Sequence, residues 1–177
     1  VAITDLSGLD RYKAGPTVGA KPGDPRTFFS PVDEVHKAIM AVLRSTSKSL
    51  VISMYGFDDQ EYADLIKEKL QNPGVFVQLT LDSSQASGVH EKALLAEENY
   101  PASSVAVGRS ERGAIIHLKL AIVDGFNVID GSTNWSASGE TLQDNQCTIH
   151  GDLAFANECR ARVDAIHANI LAKAASN

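Results

Sequence analysis

Runs of buried-strand character alternate with helix-period segments along most of this chain, and that order restricts the fold more than any other feature. "SLVISMYGF" (49–57) reads as a buried strand, "DQEYADLIKEKLQNPG" (59–74) as a helix stopped at Asn72, Pro73 and Gly74, and "VFVQLTLD" (75–82) as the next strand. "SGVHEKALLAEEN" (87–99) has helical period, "SSVAV" is strand-like, and "IIHLKLAIVDGFNVID" (115–130) reads as two strands around Asp124-Gly125. Earlier in the chain, "TFFS" reads as a short strand. In "SPVDEVHKAIMAVLRSTSK" Ser30 can cap a helix, Pro31 suits its first position, and Val32, Val35, Ile39, Val42 and Leu43 form an apolar stripe. "QCTIH" reads as a further strand, and a long helix capped by Asp152 ends the series. The order predicts an α/β fold, with a mixed, largely parallel β-sheet flanked by helices on both faces.

A chain of 177 residues, 44% of them hydrophobic, suffices for one domain with a real core. Residues 1–26 are rich in Gly, Pro and Lys and predict an irregular arm or linker, leaving 27–177 as the domain proper. No apolar run reaches the length of a membrane span, and the first residues lack a secretory signal. The sequence opens on Val rather than Met, which leaves room for a leader or upstream domain, so both a periplasmic or secreted and a cytoplasmic location stay open. A formal net charge of −6 argues against a module gripping nucleic acid over a long surface, though not against an enzyme touching one or two phosphates. Cys147 and Cys159 lie in no metal-ligand spacing, and either one bridge or two buried thiols fits them.

His117 and Lys119 interrupt the most strand-like segment. Alternation places Ile116, Leu118, Leu120 and Ile122 on one face, with His117, Lys119, Ala121 and Val123 on the other. A solvated strand face would also set an imidazole beside an ammonium. The remaining spacing argues for chemistry instead: Asp124 follows Lys119 after four residues, and Gly131-Ser132-x-Asn134 follows after six more. A Gly-started loop bearing a hydroxyl and an amide can cradle an oxyanion.

This set resembles the HxK(x)4D(x)6GSxN signature of the phospholipase D superfamily, and the strand–helix–strand unit from Ser49 to Asp82 is similar to that family's first unit. The resemblance covers roughly Phe28 to Ala172 and implies a phospholipase D-like domain. It also implies a metal-independent phosphodiesterase with no cofactor, in which His117 attacks phosphorus to form a phosphohistidine that water resolves. Lys119, Asn134 and Ser132 would offset charge on the non-bridging oxygens, with Asp124 orienting or structural. Such chemistry needs a second histidine from another copy of the motif, and none is visible. His90-x-Lys92 with Glu97 sits in a helix-period segment without a GSxN, His36-Lys37 is likewise helical, and His167 reads as a packed helix boundary. The chain thus resembles the small single-motif bacterial endonucleases. That likeness implies a homodimer through the active-site face, with nucleic acid as substrate, and the lack of an obvious amphipathic membrane-binding helix argues against a membrane partner.

One departure stands out. The single-motif enzymes carry a glutamate eleven residues beyond the GSxN asparagine, hydrogen-bonded to the histidine, and that position here is Asn145. Asp144 or Glu140 is expected to substitute if the register shifts. Arg109 and Arg112 read either as solvated loop charges or as a lining for the phosphate approach. Trp135 reads as core, with base stacking as the alternative, and Tyr55 is expected near the site at the end of its strand. Two alternatives stay open: a phospholipase D-type lipid phosphodiesterase, and a weakly active or inactive binding module of the same fold.

Overall fold

The computed structural model describes residues 2–85, 92, 93, 95, 96 and 100–176. A seven-stranded sheet forms its centre, built from β1 (Arg26–Ser30), β2 (Ser49–Met54), β4 (Phe76–Asp82), β5 (Val105–Gly108), β6 (Lys119–Val123), β7 (Asn127–Gly131) and β9 (Asn145–Gly151) in the order β1-β9-β7-β6-β2-β4-β5. A two-residue parallel ladder pairs β3 (Phe57–Asp58) with β8 (Trp135–Ser136). The α/β class and the mixed sheet are as the sequence predicts, but the emphasis on parallel strands needs correcting. Within the seven-stranded sheet β2–β4 and β4–β5 are parallel, while β2–β6, β6–β7, β7–β9 and β9–β1 are antiparallel. The physical reason is local. Asp124 (φ 52°) and Gly125 (φ 66°) both take left-handed backbone, and Phe126 N–H bonds back to Val123. Such a turn reverses the chain at once, so no crossover helix separates β6 from β7.

Helices cover both faces. α1 (Val35–Arg44) and α2 (Gln60–Leu70) bury Ile39, Leu43, Tyr62 and Ile66 against Leu50, Ile52, Ala121 and Val123. The long α4 (Leu153–Ala175) packs Ala156 and Val163 on Val51, Leu120, Ile122 and Val128, and Ile166 and Ile170 on Ala106 and Ile116. The predicted alternation along 116–123 is therefore present, with even-numbered residues beneath α4 and Ala121 and Val123 in the other core. The strand itself begins at Lys119, leaving His117 just ahead of it. Asp152 caps α4 by accepting the Phe155 N–H, as expected.

α1 starts later than its sequence signals suggest. Ser30 ends β1 with its hydroxyl donating to the Gly139 and Gln143 carbonyls, so it cannot cap a helix. Residues 31–34 turn instead, with Val32 and Asp33 N–H on the Phe29 carbonyl, and Val32 is left exposed. The segment expected to be an arm contains one 3-10 helix, Leu6–Tyr12, whose Leu6 and Leu9 join the main core. Buried Arg26 bonds Asp10 at 2.7 Å, and Asn127 exchanges two hydrogen bonds with the Ile3 backbone. Both cysteines are free, Cys147 buried and Cys159 half-buried. Most of the expected helix at 87–99, with His90 and Glu97, lies outside the described residues.

Candidate active site

Three chain segments converge at the sheet end where β2, β4, β5 and β7 finish and β6 begins. Met54 pairs with Lys119, and the Tyr55 N–H extends the ladder to the Leu118 carbonyl at 2.8 Å. This pairing sets the last residue of β2 beside the His117-x-Lys119 segment. Two residues of sequence then tie in the loop after β7. The Trp135 N–H bonds the Gly56 carbonyl at 2.9 Å, and a Cβ on Gly56 would lie 2.8 Å from Asn134 Cγ. Tyr55 and Gly56 are thus the junction between the two halves of the motif.

His117 is exposed, whereas Lys119 is 6% exposed. The Lys119 Nζ donates to the His117 carbonyl at 2.9 Å and lies 4.9 Å from the centroid of the Tyr55 ring. The Tyr55 and His117 rings meet edge to face, with centroids 4.8 Å apart. Burial lowers the Lys119 pKa from its ordinary value, and among the described residues no carboxylate pairs with it. Among the described residues Asn134 Oδ1 is buried without a hydrogen-bond partner, and no hydrogen bond holds its Nδ2 donor. An exposed imidazole, a buried ammonium with donors to spare and a free amide donor can together approach an oxyanion from several directions.

The other predicted residues divide. Gly131 takes φ 146° and its Cβ would meet the Gln146 carbonyl at 2.1 Å, so only glycine fits where the loop leaves β7. The Ser132 hydroxyl donates to Asn145 Oδ1 and accepts from Gln146 N–H, both at 3.0 Å. Asn145 Nδ2 donates to the Gly139 carbonyl at 3.0 Å. Asn145 therefore braces the Gly131–Asn134 loop, and among the described residues no hydrogen bond joins it to the His117 ring. The expectation that Glu140 substitutes fails for a clear reason. Its carboxylate is 3% exposed and committed away from His117, accepting from Tyr62 OH on one oxygen and bonded to His36 Nδ1 at 2.8 Å on the other. Asp144 is exposed, and among the described residues no hydrogen bond joins it to His117.

Asp124 stands at the opposite end of β6 from Lys119. Its carboxylate accepts the N–H groups of Ser47, Lys48 and Ser49 and the Ser47 hydroxyl. Burial alone would raise its pKa, but these donors outweigh that and lower it to about 2. It ties β6 to the start of β2 and does not meet the substrate side. Trp135 is 1% exposed and stacks on Tyr62 at 4.6 Å, which assigns it to the core and removes it from base stacking. Arg109 and Arg112 are exposed loop residues.

Arg109 nevertheless acts on a residue that the sequence reading missed. Asp82, fully buried at the end of β4, accepts the Ile116 N–H at 2.6 Å and so fixes the segment leading into His117. Burial would raise its pKa, but the Ser84 hydroxyl, the Ile116 and Ser84 N–H groups and the Arg109 charge outweigh this and hold it low. The only available signal was a lone aspartate closing an apolar strand. His167, expected at a packed boundary, is buried between Thr80 Oγ1 and the Ser103 carbonyl. One group among the described residues, His36, Asp59 and Glu140, has the donor types for a metal ion. His36 and Glu140 are already bonded to each other.

Comparison with known proteins identifies the family. A family model described as the phospholipase D-like domain of cardiolipin synthase matches residues 39–167. This chain belongs to the phospholipase D superfamily, a family of phosphodiesterases. Among curated proteins it is 28% identical over 110 residues to the mitochondrial cardiolipin hydrolase of Chlamydomonas reinhardtii. That match takes in 62% of this chain and 47% of the relative, so the chain spans about half the relative's length. Among solved structures it resembles Nuc, a phospholipase D family member from Salmonella typhimurium, with TM-score 0.65, 21% identity and coverage of 81% and 93% of the two chains. It also resembles NucT from Helicobacter pylori, with TM-score 0.66, 18% identity and coverage of 81% and 94%. At these identities the structural matches speak for the fold.

Proposed function

We propose that this chain is a nuclease that hydrolyses nucleic-acid phosphodiester bonds without a metal, through a phosphohistidine on His117, with one site shared across a homodimer. The observation that carries the reading is an exposed His117 imidazole beside a buried Lys119 that no carboxylate among the described residues neutralises. In the first step a nitrogen lone pair of neutral His117 attacks phosphorus, and the P–O bond to the leaving oxygen breaks as the P–N bond forms. Lys119 and Asn134 Nδ2 meet the charge on the non-bridging oxygens. A proton must reach the leaving oxygen, and the second subunit's copy of the motif supplies it. Water, deprotonated by that same group, then attacks phosphorus and returns free imidazole. Among the described residues, His36, His150 and His167 are each bonded elsewhere, which supports a donor from a second copy. Similarity in fold to Nuc and NucT along nearly their whole lengths supports the compact single-motif arrangement.

A lipid phosphodiester is the second reading, favoured by the cardiolipin hydrolase relative. No helix among the described residues is long and apolar enough to cross a membrane. One experiment addresses both readings. The parent and His117→Ala are incubated in EDTA with bis(p-nitrophenyl) phosphate, plasmid DNA, RNA and cardiolipin vesicles. Release that survives EDTA and disappears in the variant is expected, with cleavage of DNA or RNA and none of lipid. Turnover of cardiolipin alone selects the second reading, and a strictly monomeric, fully active parent in light scattering overturns the shared site.

A further inference from the structure

Both reactive side chains of the site rest on one aromatic ring outside the motif. Tyr55 meets the His117 imidazole at an interplanar angle of 62° and lies under the Lys119 Nζ. The groups expected to orient the histidine are committed elsewhere: Asn145 to Ser132 and Gly139, Glu140 to His36 and Tyr62. Among the described residues no hydrogen bond reaches the His117 ring. The position of Asn145, which the family pattern gives to glutamate, therefore leaves a vacant role.

An aromatic ring can fill that role in a way that suits the chemistry. A carboxylate beside Lys119 would cancel its charge and repel an incoming phosphodiester anion. The ring's negative face attracts the ammonium yet carries no net charge, so the lysine's charge remains available to the substrate. The edge contact likewise restricts rotation of the imidazole without occupying either nitrogen, which keeps a lone pair free for phosphorus. Resting on the phosphodiesterase reading above, we propose that Tyr55 is the positioning residue of this active site. Its ring orients His117 and holds the Lys119 ammonium without neutralising it, taking the place of a carboxylate. The phenol hydroxyl has no part in this.

The test compares Tyr55→Leu with Tyr55→Phe on bis(p-nitrophenyl) phosphate. Leucine is expected to lower kcat about tenfold with little change in KM, and phenylalanine to restore most of the loss. In the leucine variant Lys119 stays buried but loses its ring, so the alkaline limb of the pH–rate profile moves to lower pH. A merely structural tyrosine would not move that limb. Equal losses in both variants, or a leucine variant with the parent's kcat and alkaline limb, overturn the proposal. Two NMR signals give a readout independent of turnover: the ring-current shift of the His117 ring protons and the titration of the Lys119 side chain. Both are expected to change with leucine and persist with phenylalanine, and identical signals in all three proteins overturn the proposal. If the parent turns over no phosphodiester, the functional reading fails and these signals still decide the role of Tyr55. Should leucine prevent folding, Tyr55→Met is measured in its place by the same criteria.

Discussion

Gly56 is small because Asn134 occupies the space its side chain would need. A methyl group there would overlap the Asn134 side chain at 2.8 Å, and relief comes most cheaply by turning Asn134 out of the site. Gly56→Ala is therefore expected to cut activity by about tenfold or more, because small misplacements of an oxyanion donor are costly. Its melting temperature should fall only slightly, since the backbone of Gly56 needs no left-handed conformation. Activity assays beside a thermal melt test this, and an alanine variant with parental turnover would refute it. Asn134→Ala should match its loss, and the double variant should add little. At this scale the sequence was unevenly legible. His117, Lys119 and Asn134 could be found because their spacing is long and fixed. Gly56 could not, because its constraint comes from a residue 78 positions away that only the β3–β8 ladder brings near.

Elements meet through polar clamps as well as through core packing, and Asp124 is the clearest case. Its carboxylate takes the N–H groups that open β2, joining that strand to the β6–β7 turn. Its folded pKa of about 2 lies below the ordinary 3.8. A depressed pKa means stability that is present above the ordinary value and lost as pH falls through the folded one. The parent is thus expected to lose about 1 kcal/mol between pH 4 and pH 2 from this group, allowing for its partial exposure to solvent. Asp124→Asn should flatten that part of the urea-denaturation profile while leaving the acidic limb of activity above pH 5 in place. A variant that kept the parent's acid profile would remove Asp124 from this role. The strands were readable from apolar runs and the hairpin from Asp124-Gly125, since both are local signals. Sheet direction was not, because parallel and antiparallel buried strands share the same apolar character. The start of α1 was misread because Ser30 and Pro31 look like a cap and a first turn. Ser30 is in fact claimed by carbonyls more than a hundred residues away.

Across the whole molecule, a partly buried polar junction joins α1, α2 and the short α3 (Ala137–Thr141). His36 comes from α1, Tyr62 from α2 and Glu140 from α3, and Trp135 stacks on Tyr62 directly after Asn134. The junction links the first core helix to the loop that presents Asn134. Hydrogen bonding to Glu140 is the main reason the His36 pKa rises from 6.5 to about 9, against the opposing effect of burial, with Asp59 and Glu61 adding to the rise. A raised histidine pKa contributes stability that is complete below the ordinary 6.5 and fades as pH climbs through about 9. His36 is partly open to water, so the loss across that window is expected to be of the order of 1–2 kcal/mol. His36→Gln preserves a hydrogen bond to Glu140 but does not titrate. Its stability should start lower at pH 6 and then run nearly level to pH 9, converging on the parent's falling curve. Urea denaturation at four pH values from 6 to 9 measures the difference, and parallel curves for the two proteins would show that the junction is held by packing and neutral hydrogen bonds. Asn134 rides on the same junction, so the parent's turnover should become more heat-sensitive over this pH window while that of His36→Gln does not.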